Sequence, residues 1–276
     1  MMVDLYRRFA EPLSGQVLFE WHRMVVHGRR DLKDIGRFRR SQEPMQVVSG
    51  ANYAPKVHFE APPSPAVPGE MKNFVRWFNL TVPKGKAPLP PLTRAGIAHL
   101  YFVSIHPFED GNGRIARAIS EKALAQSRGQ PTLMALAATI LAKRKAYYDA
   151  LEAASQDLEI TPWLMWFAAM GIESQRRAIA RVEFLIDRTR LLDRLRGKLN
   201  NRQEKALVRM LREGPDGFKG GLSAGNYASI TGASAATATR DLADLVAKGA
   251  LVRAGELRHA RYHLTIPLRP VSPATA

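Results

Sequence analysis

Apolar residues recur at helical spacing from Leu13 to His27 and then give way to a charged, irregular stretch from Gly28 to Gly36. That pattern predicts one helix followed by a loop. Gln46–Ser49 and Val57–Glu60 are short β-prone runs around the turn-rich segment GANYAPK, which predicts a small hairpin. Pro62, Pro63, Pro65 and Pro68 then open a helix over Glu70–Leu80. After a second break from Pro83 to Pro91, the Ala-, Leu-, Ile- and aromatic-rich run Leu92–Ile105 reads as a buried helix that stops at Pro107. Helical patterns resume over Arg114–Ser127, over Pro131–Ser155 in one or two pieces, and over Pro162–Ile172. Residues 1–172 are therefore expected to form a helical unit with one hairpin.

Beyond this point the pattern changes. Residues 173–200 predict a basic connecting helix, and residues 201–268 predict helices over Arg202–Arg212, Ser223–Ile230 and Ser234–Lys248, with Ser234 as N-cap and Gly249 past the end. Two β-prone runs follow, Ala250–Arg253 and Arg261–Ile266, around AGELRH. Three helices and a hairpin predict a winged helix-turn-helix domain, and residues 269–276 read as a tail. The fold class expected for the whole chain is mainly α.

Composition narrows the chemistry. The 276 residues contain no cysteine, which excludes disulfides, thiolate zinc sites and cysteine nucleophiles. No run is apolar enough to span a membrane, and MMVDLYRRFAEPLSG lacks the apolar core of a secretory signal, so a cytoplasmic protein is expected. The net charge of +16 points to an anionic partner such as a nucleotide, a nucleic acid or an acidic protein face. Residues 200–276 hold 11 of the 41 basic and 6 of the 25 acidic residues, so the excess is spread along the chain and is not a detachable tail.

The most informative stretch is HPFEDGNGRIAR, residues 106–117, between two predicted helices. Gly111 and Gly113 allow close backbone approach to an anion, and the unpaired amides of the following helix carry partial positive charge. Arg114 and Arg117, three residues apart, lie on one helical face and offer planar donor forks to successive phosphates. Asp110 offers a hard oxygen to Mg2+, which binds through a carboxylate together with phosphate oxygens and water. His106 can accept a proton near neutral pH. His99, two helical turns earlier, reads as a packed histidine, Phe108 as a core anchor, and Trp163 with Trp166 as core. His58, His259 and His263 have no zinc-ligand company.

The same stretch resembles the signature His-Pro-Phe-x-Asp/Glu-Gly-Asn-Gly-Arg-x-x-Arg of Fic-domain proteins at every position. The resemblance extends to Gly36-Arg37-Phe38-Arg39, to the hairpin, and to Arg144-Lys145-Ala146-Tyr147-Tyr148 with Leu151, covering about residues 3–172. It implies a Fic catalytic core over 1–172 and transfer of AMP from Mg-ATP to a Ser, Thr or Tyr hydroxyl of a target protein, or of the chain itself. On this reading His106 deprotonates the acceptor and Asp110 holds Mg2+. Asn112 and the amides of Gly111 and Gly113 cradle the phosphates, Arg114 and Arg117 neutralise the pyrophosphate side, and Tyr148 lines the adenine pocket. The hairpin corresponds to the Fic flap, whose edge, including Val47, Val48, Val57 and His58, would align an extended target segment. Ser155 stands where the family pattern suggests Asn.

Many Fic proteins restrain themselves through Ser/Thr-x-x-x-Glu-Gly/Asn, and this sequence contains no such pattern. That absence suggests a short form, or one governed by an inhibitory partner or a preceding inhibitory segment. The C-terminal part resembles, less specifically, the winged helix that follows the Fic core in one bacterial subgroup. The competing function is a winged-helix DNA-binding regulator whose Fic core senses nucleotide, with Arg240, Arg253, Arg258 and Arg261 as the available nucleic-acid contacts. Small residues dominate the start of Ser234–Lys248, which disfavours sequence-specific DNA reading. Transfer of another nucleotide or phosphate group and a homodimeric state are both allowed by the sequence.

Overall fold

The computed structural model describes residues 1–49, 56–132, 134–156 and 159–269. Eleven α-helices and two two-stranded antiparallel sheets are formed among these residues. The chain divides into two units, Met1–Gln175 and Arg176–Ala276, with the division inside one long helix.

In the first unit, α1 (Met2–Arg7) and α2 (Gly15–Val25) precede a loop and the hairpin β1 (Gln46–Ser49) and β2 (Lys56–Glu60). Gln46 pairs with Glu60 and Val47 with Phe59, and a bulge follows before Val48 pairs with Val57. The helices α3 (Val67–Leu80), α4 (Pro91–Ile105), α5 (Asn112–Arg128), α6 (Leu136–Ala142) and α7 (Arg144–Gln156) follow, and α8 runs from Thr161 to Leu195. The expected helix over Glu70–Leu80 begins three residues earlier, because Pro68 fits the first turn, where its missing N–H has no acceptor to lose. The two segments expected at 162–172 and 173–200 are one helix, α8, and Pro162 is likewise at its start.

The core of this unit is built on α4. Ala95, Ala98, His99, Phe102 and Ile105 are all buried, so the helix is enclosed on more than one face. It packs along α5 through Ile115, Ala116, Ile119 and Ala123, with Phe74 and Phe78 of α3 and Trp163 and Phe167 of α8 completing the cluster. Arg94 lies inside this core without a carboxylate in its hydrogen-bond set. Its guanidinium donates to the Phe78 carbonyl at 2.9 Å, the Thr81 hydroxyl at 3.1 Å and the Gln126 side chain at 2.8 Å, and lies 4.2 Å from the centre of the Phe78 ring. Burial pushes its pKa down to about 10. The N-terminus is tied to α5 by Tyr6, which donates to Glu121 at 2.7 Å, and by Lys122, which donates to the carbonyls of Arg8 and Phe9 at 2.8 and 3.0 Å.

The second unit contains the remainder of α8, then α9 (Asn201–Leu211), α10 (Ala224–Thr231), α11 (Ala235–Ala247), β3 (Leu251–Ala254) and β4 (Arg261–Leu264). Asn200, Ser223 and Ser234 cap the three helices through their side chains. β3 pairs with β4, and Leu222 bridges to Tyr262 on the other side of β4. Asp241 organises the unit's polar interior: it accepts from Arg202 at 2.8 Å, Tyr227 at 3.0 Å and Asn200 at 3.2 Å. No helix among the described residues is long and apolar enough to cross a membrane.

Candidate active site

Helix α4 ends at His106, which adopts left-handed backbone geometry (φ 49°), and the chain then turns through Phe108 and Gly111 into α5. Gly111 precedes α5 at φ 86°, and a Cβ there would stand 3.0 Å from the Val25 side chain, so both conformation and space call for glycine. The loop is fastened from within by Asn112. Its side-chain oxygen accepts from the Phe108 amide at 3.0 Å and its amide group donates to the Phe108 carbonyl at 2.7 Å. The Asn112 side chain is thus buried and closes the turn, and what Asn112 and α5 offer an anion is the backbone N–H groups of the first turn.

Partners distant in sequence hold the loop from outside. His22, fully buried in α2, accepts from the Gly36 amide at Nδ1 (2.9 Å), which leaves Nε2 to donate to the Asp110 carbonyl at 3.1 Å. Its ring stacks on Phe108. Burial pushes the His22 pKa down. Glu109 accepts from the amides of Lys33 and Asp34, both at 2.8 Å. Arg39 donates to the His106 carbonyl and the Ser64 hydroxyl, each at 2.8 Å, and to the Pro62 carbonyl. None of these partners carries a local sequence signal beyond its residue type, apart from Arg39 within Gly36-Arg37-Phe38-Arg39.

The His106 ring is half-buried, with Nδ1 3.3 Å from the Val103 carbonyl. A carbonyl can only accept, so the neutral ring carries its proton on Nδ1 and exposes a lone pair at Nε2. Burial is the main influence on its pKa and lowers it; Arg39 adds to this, and the Val103 bond and Asp110 oppose it. The Asp110 carboxylate accepts from the Gly111 amide at 2.5 Å, from Arg29 at 2.6 Å and from Arg114 at 3.1 Å. Burial raises its pKa, but these three partners outweigh it and hold the group ionised at lower pH than an ordinary Asp.

Arg114 and Arg117 take different surroundings. Arg114 is exposed and donates to Asp110 and to the Val25 carbonyl, whereas Arg117 turns into a cleft of about 720 Å³. His106, Gly113, Arg117, Tyr147, Tyr148 and Phe59 of the hairpin are among the residues lining that cleft. Arg117 has no hydrogen bond or ion pair among the described residues, and desolvation lowers its pKa, so a positive charge stands in the cleft without a carboxylate beside it. Tyr148 is 45% exposed, and the Arg144 guanidinium lies 5.7 Å from its ring centre. Ser155, which also lines the cleft, donates back to the Glu152 carbonyl.

Residues 12–124 match the model of the Fic/DOC family. The N-terminal unit carries a Fic domain. Curated relatives of the chain include protein adenylyltransferase fic-1 of Caenorhabditis elegans, 29% identical over 169 residues, and protein adenylyltransferase Fic of Drosophila melanogaster, 31% identical over 155. These alignments cover 61% and 55% of this chain, and the chain spans 29% and 26% of the relatives' lengths. Among solved structures, a Fic-domain-containing signalling protein from Bacteroides thetaiotaomicron superposes with a TM-score of 0.51 at 25% identity, covering 64% of this chain and 66% of that one. The Fic domain thus contains HPFEDGNGRIAR and the helices on both sides of it.

The remaining expected site residues are less closely placed. Val47, Val48, Val57 and His58 belong to the paired strands of the hairpin, and their side chains lie outside the described residues, as does that of Arg258. Arg240 is exposed on α11 and Arg253 on β3, and Arg261 begins β4. No cluster of three metal-ligating side chains occurs among the described residues.

Proposed function

We propose that the Fic domain is a protein adenylyltransferase that moves AMP from ATP to a hydroxyl of a target protein. The observation that carries this reading is the pairing of a His106 ring whose Nε2 is free to accept a proton with an Arg117 charge in the same cleft. A hydroxyl oxygen attacking the α-phosphorus gives its proton to Nε2, and pyrophosphate leaves toward Arg117 and the first amides of α5. Such a reaction needs positioning and charge neutralisation above all. The cleft volume and its aromatic wall at Tyr147 and Tyr148 suit a nucleoside beside the phosphates.

Asp110 fits a divalent cation that arrives with the nucleotide: it is a single ionised hard oxygen donor at the phosphate end, and the described residues form no cluster of three metal-ligating side chains around it. Mg2+ bound there would supply neutralisation of phosphate charge. The antiparallel hairpin beside His106 suits an extended target segment, added to its edge by main-chain hydrogen bonds.

For the second unit, the order α9, α10, α11, β3, β4 with the Leu222–Tyr262 bridge supports a winged helix. Arg240 is the one Lys or Arg within Ala235–Ala247, which favours docking to protein over reading of base edges.

The test is incubation of the purified chain with cell lysate and ATP labelled at the α- or the γ-phosphate, beside His106→Ala. Label transferred from the α-position by the parent alone supports the proposal. Transfer of the γ-label, or equal labelling by the variant, overturns it.

A further inference from the structure

His99 lies at the centre of the Fic domain, has no exposed surface and takes no part in the chemistry described above. Its two ring nitrogens face two different helices. Nδ1 is 3.3 Å from the Ser120 hydroxyl of α5, and Nε2 is 3.0 Å from the Tyr147 hydroxyl of α7. Proton counting fixes the direction of both bonds. The Ser120 hydroxyl has one hydrogen and lies 3.0 and 3.2 Å from the carbonyls of Ala116 and Ala95, acceptors that cannot return a proton. Ser120 therefore accepts from Nδ1–H, and the bare Nε2 accepts from Tyr147. Burial keeps the ring neutral by pushing its pKa down to about 3, so this arrangement does not change over the working pH range.

Helix α7 meets the core through half-buried Ala150, Leu151 and Ala154 and, at its cleft-facing end, through Tyr147. Of its thirteen residues Tyr147 is the buried one, while its neighbours Arg144 and Tyr148 face the cleft. The ring of Tyr147 rests against Trp163 and Trp166, a surface along which it can slide, whereas its hydroxyl bond to His99 is directional. On the other side, Ser120 is three residues from Arg117 on α5.

We propose that the Tyr147–His99–Ser120 relay is a positioning device that sets the α7 wall of the nucleotide cleft at a fixed distance from the phosphate-facing arginine on α5. The inference rests on the adenylyltransferase reading for its ligand, ATP, and not for the relay itself. Its effect is on capture of the nucleotide and not on the transfer step, because His106 and Asp110 are held by other partners.

The test compares Tyr147→Phe, His99→Leu and the double variant with His99→Gln, whose side-chain oxygen can still accept from Tyr147. The intact chain is used throughout. Tyr147→Phe and His99→Leu should each raise the ATP Kd about tenfold, the worth of roughly one buried hydrogen bond. The double variant should bind no more weakly than either single one, and His99→Gln should keep most of the affinity. At saturating ATP, kcat of His99→Leu and His99→Gln should stay within about twofold of the parent. In parallel, amide hydrogen exchange over Arg144–Gln156 should quicken in Tyr147→Phe while residues 106–113 keep their protection. Full additivity of the two single effects, or unchanged affinity and exchange in folded Tyr147→Phe, overturns the relay. If the parent binds ATP without modifying any protein, the enzymatic reading fails and the Kd series still decides the relay. If the parent binds no ATP, the exchange series decides it.

Discussion

The imidazole of His22 lies flat against the ring of Phe108, with centroids 4.1 Å apart and planes 8° from parallel. One residue lies in the last turn of an early helix and the other sits 86 positions later in the loop before α5, so the contact joins α2 to HPFEDGNG. With the bond from Nε2 to the Asp110 carbonyl it fixes where the Asp110 side chain starts. His22→Ala should weaken Mg2+ dependence of the reaction about tenfold and leave the ATP Kd without metal nearly unchanged. His22→Phe, which keeps the stacking and loses both hydrogen bonds, should recover fold stability but not the metal response. Titration of activity with Mg2+ and calorimetry with ATP alone distinguish these effects.

His106→Ala should lower the transfer rate by about 10^2- to 10^4-fold, the usual value of a general base, and retain nucleotide binding. The pH profile carries a sign. Burial and Arg39 lower the His106 pKa, so the ring is already neutral at pH values where a free histidine is half-charged. Activity should rise with pH through a midpoint below the usual 6.5 and be level at neutrality. Arg39→Gln should move that midpoint upward. A midpoint above 7 in the parent would contradict the buried environment of the ring.

Arg117 and Asp110 should separate on calorimetry. Arg117→Ala removes a desolvated charge facing the cleft and should weaken ATP binding with or without metal. Asp110→Ala should weaken binding of Mg-ATP, and metal-free ATP should bind as well as before or better, because Arg29 and Arg114 are released from their ion pairs. Equal behaviour of the two variants would mean that the phosphates lie elsewhere.

Much of this architecture was legible in the chain. The breaks at Pro83–Pro91 and Pro107 bracket α4, and Gly111 of DGNG marks the turn before α5 because its left-handed backbone favours glycine. Helix α1 was not legible. Six residues are too few to nucleate a helix in isolation, and α1 is held by partners far along the chain: Asp4 accepts from Trp21 at 2.8 Å and Tyr6 donates to Glu121. For the same reason the turn-closing bonds of the Asn112 side chain are not legible in the sequence. Its type and position suit a ligand, and the two bonds that commit it to Phe108 depend on the folded turn. Arg29 on Asp110 is 81 residues away in sequence, and no local pattern announces such a pair.

Glu121 provides a stability test independent of catalysis. Burial raises its pKa to about 7, with the Tyr6 bond opposing the shift. A carboxyl whose folded pKa exceeds its unfolded one binds more protons when folded, so the fold is favoured below about pH 4.5 and loses that contribution as pH rises through about 7. Thermal melting should show the parent losing about 3 kcal/mol over that window. Glu121→Gln should flatten the dependence and be the more stable protein at pH 8.

Arg39 has a consequence for acceptor choice. The same guanidinium holds the His106 carbonyl and the Pro62 carbonyl just past β2, and the Arg39 amide donates to Pro107. His106, the proposed proton acceptor, and the hairpin therefore share one anchor, and the offset between them is set by the fold and not by whatever is docked. A strand laid on that edge points alternate side chains to opposite faces. Hydroxyls one residue out of phase would then face away from His106, and the proposed transfer would follow a ruler with a two-residue graduation.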